Sequence, residues 1–487
     1  MSSLVTAFEY TRSALAQNGE LSSLTSRNVA GASNPNYNRK SIQIVTDQNG
    51  LPMAGTVTRA VDQLLLSTSL DSSASAAAAD ATSAALDQLD PGASDPNNAN
   101  SLPTLLTNLQ NALQTASASP SSAVTLQSVV SSADALASGL RAASAQVDTQ
   151  RNQADLGIRS AVATVNDLLA KYATADTAVQ KAQVAGADAT DLEDARDGIA
   201  KDIAQQIGVR MVPQPDGSVS LYTDGGVTLY DHGVRSVTFS GTGNLGPGSV
   251  GAAVFVDGVP VTGGGPMASK TGKIAGLVDF RDNLAPVYQS QLDNISRGLI
   301  DAFSEKDPSG SSPDATGLFT WSGSPALPTQ PTPSGLAGSI SIASNADATK
   351  GGNPLLVRDG GIAGAAYALN TSGAAGFTDR LQALMSAMTA PQPFDVASQA
   401  AAGNQSVTDY TAASSSWLAA ARKTATDTAT YQDSLSTQAT TALSNATGVN
   451  IDDEMSRMLE IEHSYQTSAR LLTTIDTMYT ALLQVNP

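Results

Sequence analysis

Residues 451–485 read IDDEMSRMLEIEHSYQTSARLLTTIDTMYTALLQV. Apolar or small side chains fall at Ile451, Met455, Met458, Ile461, Tyr465, Ala469, Leu472, Ile475, Tyr479 and Leu482, each three or four residues from the last. The mean step is about 3.4, nearer the coiled-coil repeat than that of a free-standing helix. Asp452, Asp453 and Glu454 open the run, where a helix N-terminus favours negative charge. The stretch predicts one long helix with a continuous apolar stripe. Such a stripe is not satisfied in water, so a partner helix is required, from this chain or from another copy. An ordinary core helix of a globular domain is the plainer alternative.

The other end of the chain carries a second stripe. Leu4, Phe8, Leu15, Leu21, Leu24 and Ala30 fit a helix over 2–30, loosened around Gly19. Pairing the two stripes is the simplest way to bury both. Between Asn28 and Asn38 the residues are turn formers, and Ile42, Ile44 and Thr46 alternate as in a short strand. Helix is expected again from Thr56 to Leu89, and a break at 90–101. A short helix over 102–115 and a long helical run over 121–184 follow, the latter weakened at Gly139 and Gly157. One more helix spans 190–207. Short alternating runs around Pro-Asp-Gly and Asp-Gly-Gly turns make 209–264 an antiparallel β region. Helices return at 272–303, 376–389 and 407–447. Residues 307–338 are rich in Pro, Gly and Ser and are expected to be an irregular insert or mobile loop, with a strand at ISIASNA.

The expected fold class is mainly α with a small β part: a long helical bundle and coiled coil formed by the N- and C-terminal segments, with a central antiparallel β insert. Four parts are expected. A terminal coiled-coil domain combines 1–55 with 448–487. A long bundle combines 56–208, 266–304 and 372–447. A β region spans 209–265, and a reduced outer insert spans 305–371.

Composition narrows the function. The formal charge is −18, the wrong sign for a nucleic-acid surface or an anionic membrane surface. No run of about 18 apolar residues marks a membrane span, and Glu9 and Arg12 interrupt any signal-like apolar core. There is no cysteine, which removes disulfides, thiolate metal sites and thiol nucleophiles. The two histidines, His232 and His463, lack a second ligand at metal spacing. The glycines at 263–265 and SKTGKIAG only approximate a phosphate loop, because Met267 and Ile274 occupy essential positions. Asp191, Glu193, Asp194 and Asp197 read as a solvated, dipole-favoured helix start. No catalytic, metal or cofactor site is expected.

Two motifs carry a resemblance. Asn28-Val29-Ala30 with Asn34-Pro35-Asn36-Tyr37-Asn38-Arg39 resembles the N-terminal motif of the axial proteins of the bacterial flagellum, which comprise rod, hook and hook-associated members. Asn36 stands where that group usually has Gly, and Asn tolerates left-handed backbone nearly as Gly does. Gly31 stands where a second Asn is frequent. Gly448-Val449-Asn450-Ile451-Asp452-Asp453-Glu454 is similar to the C-terminal approach of the hook-associated members. So are Leu192–Asp197, running through Ile207-Gly208-Val209, and Gly272-Lys273-Ile274-Ala275-Gly276-Leu277 before the helix ending at Phe303.

The resemblance implies a structural subunit exported unfolded and assembled, outside the cell, in the first layer between flagellar hook and filament. Its implied partners are copies of itself in a ring, the hook protein, the second hook–filament junction protein, and an export chaperone on the C-terminal helices. Nucleic acid, membrane and cofactor are not among them. The assembly residues expected on this reading are Leu4, Phe8, Leu15, Leu24, Asn28, Asn36, Tyr37 and Arg39, with Met455, Met458, Ile461, Tyr465, Leu472, Ile475, Tyr479 and Leu482. The alternatives are another axial protein (hook protein, second junction protein or flagellin) or a secreted coiled-coil adhesin. A wall-degrading enzyme is a more distant one.

Overall fold

The computed structural model describes residues 2–46, 48, 50–89, 98–395, 398–400 and 403–485. It is mainly helical with small antiparallel sheets, as the patterning implies. Helix α1 (Ser2–Gly31) is followed by the hairpin β1 (Lys40–Thr46) and β2 (Pro52–Arg59). Then come α2 (Gln63–Leu89), α3 (Leu102–Ala118), α4 (Ala123–Val184) and α5 (Thr190–Gln206). Two three-stranded antiparallel sheets follow, β3 (Val209–Pro213) to β5 (Thr228–Tyr230) through β4 (Val219–Thr223), and β6 (Val237–Phe239), β7 (Val254–Val256), β8 (Val259–Pro260). The expected β region is thus two small sheets.

Helix α4 is the spine of the body. It runs unbroken for 62 residues. Ser122 starts it, the hydroxyl accepting from the amide of Thr125, which satisfies one of the orphan donors of a helix start. Its stripe, from Leu126 through Leu140, Val147, Ile158 and Leu169 to Val179, is fully buried. Gly139 and Gly157 do not break it; they are where other side chains cross closely. A Cβ at Gly139 would lie 2.8 Å from Leu105 Cδ1, and one at Gly157 2.9 Å from Leu277 Cδ1. Tertiary packing outweighs the roughly 1 kcal/mol each glycine costs the helix.

The chain returns through α6 (Lys273–Asp279), a π-turn over Phe280–Leu284 and α7 (Ala285–Ala302). Gly276 packs directly on α2, where a Cβ would fall inside contact distance of the Ala78 carbonyl oxygen. Backbone cannot give way as a side-chain tip can. Gly276→Ala is therefore expected to lower stability by about 2 kcal/mol despite its gain in helix propensity, measured by urea unfolding.

Residues 305–371 are irregular for the most part, with a few short elements that pack on the body. Strand β9 (Phe319–Thr320), short helix α8 (Leu336–Ser339), strand β10 (Ser341–Ile342) and α9 (Leu355–Asp359) lie on the body. Phe319 meets Phe303 edge-to-face at 5.0 Å, and Leu318, Leu336 and Ile340 are buried with them. The expected strand at ISIASNA is two residues long and passes into a 3₁₀ turn. Asp293 of α7 fastens this segment, accepting from the amides of Gly335 and Ala337 at 2.8 Å each. Burial pushes its carboxyl up to about 6 despite those bonds. A raised acid favours folding fully below the ordinary carboxylate range, and that share is lost as pH climbs through 6. Unfolding free energy should thus fall by about 2 kcal/mol between pH 4 and 7 from this group. Asp293→Asn should flatten that slope in denaturant titrations.

Helix α10 (Asp379–Thr389) and the two-residue strands β11 (Gln392–Pro393) and β12 (Asn404–Gln405) lead to α11 (Val407–Thr447), which packs along α2. After three residues the terminal helix α12 (Ile451–Val485) begins and runs back along α1. The expected helix from Thr56 is overturned for 56–59, which form the second strand of the hairpin. Its register runs from Lys40↔Arg59 to Thr46↔Pro52.

Candidate functional site

Helices α1 and α12 pair antiparallel. Asn18 Nδ2 donates to Ser464 Oγ at 3.0 Å and Asn28 Nδ2 to the Glu454 carboxylate at 3.1 Å. Leu24, Ile461 and Ile475 are buried in the pair, with Thr11, Gln17, Asn18 and Thr25 on the α1 side. Leu4, Leu15, Met458 and Leu472 are half-buried. Phe8, Met455, Tyr465 and Tyr479 remain exposed. Leu482 lies within the helix, and its side chain is outside the described residues. The stripe read from periodicity therefore divides: part faces α1, part faces solvent. Sequence reasoning missed Val5 and Tyr10 on α1 and Leu459, Leu471 and Met478 on α12, which are exposed as well. They sit beside the counted stripe, so a single periodic series passed over them.

The second feature is the joint that holds this pair to the body. The Asn36 amide donates to Asn34 Oδ1, closing a turn of the Asx type. Asn28, buried, reads both sides of that turn. Its Oδ1 accepts from the Tyr37 hydroxyl and from the Lys40 amide, both at 3.0 Å, and its Nδ2 donates to the Lys40 carbonyl at 2.9 Å. Gly31 makes room for the Tyr37 ring, which would stand 2.6 Å from any Cβ there. Arg39 pairs with Glu454 at 2.7 Å, and its amide donates to the Thr447 carbonyl at 2.7 Å. One motif thus ties α1, the hairpin, the end of α11 and the start of α12 together. Asn36 is not among the residues with positive φ, so the argument from left-handed tolerance falls away. Its side chain instead lies against Gly198 and accepts from Lys201 Nζ at 3.3 Å.

The acidic group of α5 is not a solvated helix start, which is a correction. Asp194 and Asp197 are buried and paired; of the four carboxylates, only Asp191 is largely open to water. Arg59 reaches Glu193 at 2.8 Å, Asp194 at 3.1 Å and Asp197 at 2.7 Å. Lys40 lies between Asp191 and Asp194, and its ammonium stands 3.8 Å over the Tyr37 ring. Arg27 bonds Asp188 at 2.8 Å and Asp191 at 2.7 Å. Burial alone would raise the Asp191 carboxyl, but Lys40 and Arg27 outweigh it and hold it below the usual range. The helix-dipole reading failed because these cations come from residues about 130 to 165 positions earlier.

No cluster able to hold a metal occurs among the described residues; His232 and His463 are both exposed. No described helix is long and apolar enough to cross a membrane.

The chain ends form a helix pair with an exposed apolar face, locked by the Asn34–Arg39 turn to a long helical body, and no catalytic or metal cluster accompanies it among the described residues. A model described as flagellar hook-associated protein FlgK helical domain matches residues 86–317, and one described as flagellar basal body rod FlgEFG protein C-terminal matches residues 442–485. Over 86–317 the chain is similar to the helical domain of flagellar hook-associated proteins, and over 442–485 to the C-terminal part of the basal body rod proteins. No curated protein matches it. A solved structure of the flagellar hook junction protein FlgK from Burkholderia pseudomallei superposes with TM-score 0.43 and 19% identity, covering 52% of this chain and 46% of that one.

Proposed function

We propose that the chain is a structural subunit of the hook–filament junction that assembles into a ring through its paired terminal helices. The observation that carries this reading is the apolar surface left on the pair. Val5, Phe8 and Tyr10 on α1 and Met455, Leu459, Leu471, Met478 and Tyr479 on α12 remain exposed after the two helices have met. Covering such area returns about 25 cal/mol per Å², and exposed large apolar side chains concentrated on one helix pair mark an interaction surface. The occupants on this reading are the same faces of neighbouring copies, the hook protein on one side and the second junction protein on the other. The subunit is exported unfolded and works outside the cell, with a chaperone covering α12 until then.

Leu471 and Met478 are the positions for a test, because Ile475 faces α1 and its replacement would damage the isolated subunit too. Leu471→Glu with Met478→Glu should leave the purified chain folded by circular dichroism. Cells carrying only this variant should lose filaments and motility. Wild-type swimming with intact filaments would defeat the proposal.

A further inference from the structure

The chain has no cysteine, so methionine supplies all its sulfur. Of the methionines whose side chains are described, Met388 is fully buried and Met211, Met385 and Met458 are half-buried. The others are open to water: Met53 at 50%, Met455 at 46%, Met478 at 53% and Met267 at 42%. Met267 lies in the loop before α6, on the body. The remaining three all belong to the terminal unit of α1, hairpin and α12. Met53 stands opposite Val45 near the hairpin tip, where the Ser13 hydroxyl of α1 donates to the neighbouring Pro52 carbonyl. Met455 and Met478 are separated by about 34 Å along α12. The antiparallel register set by Asn18–Ser464 and Asn28–Glu454 puts Met455 near the joint and Met478 at the free end, level with the first turns of α1. Together the three sulfurs sample the whole length of the unit.

We propose that Met53, Met455 and Met478 are oxidation sites at which peroxide turns the apolar surface of the terminal unit polar while leaving the subunit folded. The sulfur attacks one peroxide oxygen, the O–O bond breaks, and that oxygen stays on sulfur as the sulfoxide. The hydroxide that leaves takes the proton of the new S–O–H group and departs as water; sulfur loses two electrons and peroxide gains them. No thiol in the chain competes for the oxidant. On an exposed side chain the new S=O is hydrated, so the fold bears no cost. Beneath a neighbouring molecule the same group is a buried acceptor with no donor placed to meet it, which is the expensive case. Leu24, Ile461 and Ile475, buried where α1 meets α12, carry no sulfur, so the pair itself survives the change. The sensitivity belongs to the free subunit, because the contacts that oxidation opposes shield the sulfurs once they are made. That effect on assembly rests on the junction reading; the chemistry at the sulfurs does not.

The test treats the purified full-length chain with dilute hydrogen peroxide and follows each methionine by mass spectrometry. Met53, Met267, Met455 and Met478 should take up oxygen at least tenfold faster than Met388, while circular dichroism and the urea midpoint stay unchanged. Binding of an apolar fluorescent dye should fall at least twofold, and self-association of the chain at least tenfold. Methionine sulfoxide reductases should restore both. The variant Met53→Leu, Met455→Leu, Met478→Leu keeps volume and apolarity and leaves Met267 as an equally exposed control. Peroxide should change neither its dye binding nor its association. Equal losses in the wild type and the leucine variant, no loss of dye binding in the wild type, or unfolding of the wild type by peroxide would overturn the proposal. Dye binding that falls in the wild type alone, in chains that never associate, would uphold the oxidation sites and defeat the junction reading instead.

Discussion

Glu454→Ala should release the start of α12 from the turn and cost about 2–3 kcal/mol of unfolding free energy. The Glu454 side chain is 0% exposed and takes Arg39 on one oxygen and Asn28 on the other. Removing it leaves the Asn28 amide group with one acceptor and Arg39 with none of its carboxylate. Arg39 is 34% exposed, so water screens part of the loss and keeps the figure below that of a fully enclosed pair. Hydrogen exchange should locate the damage: amides over 451–465 should exchange faster by at least tenfold, while α4 stays protected. Glu454→Gln keeps an acceptor for Asn28 and loses only the charge, so about 1 kcal/mol is expected. Unchanged protection of α12 in the alanine variant would mean that the pair is held by its apolar contacts alone.

A larger loss is expected from Asp176→Ala. This carboxylate is fully buried between α4 and the β3–β5 sheet. One oxygen accepts from Arg196 Nη1 at 2.9 Å and the Val219 amide at 3.3 Å. The other accepts from the Tyr230 hydroxyl at 3.0 Å and Gln180 Nε2 at 2.8 Å. Its removal takes the acceptor from a buried guanidinium, the Val219 amide, the Tyr230 hydroxyl and Gln180 Nε2, a change worth about 3–5 kcal/mol. A second readout separates this from general damage. Burial, and then the charge of Asp176, push the Tyr230 phenol up to about 12. Without Asp176 that phenol should titrate nearer 10 by ultraviolet absorbance. A stability loss below about 1 kcal/mol, or an unmoved phenol, would contradict the assignment.

What could be read from the chain follows the range of the interactions concerned. The stripe of α4 repeats locally, so Leu126 to Val179 were legible from spacing alone. The fate of Gly139 and Gly157 was not, because it depends on Leu105 and Leu277, which arrive from other helices. PMAGTVTR begins with Pro and holds Ala and Gly, poor strand formers; it is a strand because β1 pairs with it. The Pro, Gly and Ser of 307–338 read as coil and are coil for the most part, yet Phe319 and Leu336 anchor them in the core. The turn motif Asn34 to Arg39 was visible, but its partners Glu454 and Asp194 are settled only by folding. The acidic residues of α5 were seen and misjudged, since nothing nearby in sequence announces Arg59 or Lys40. Periodicity also found the faces of α1 and α12 without saying which residues each would spend on the other.

The length of α4 has a mechanical consequence. Sixty-two residues make a strut about 93 Å long, with the terminal unit fastened near one end through α5 and the segment around Asp347 lying against the other, where Gln127 holds it. A tilt of about 5° at the fastened end would swing the distant tip by about 8 Å, on the order of a side chain's reach. Adjustments too small to disturb packing where the terminal unit is fastened would thus be amplified into visible displacement at the far end of the strut.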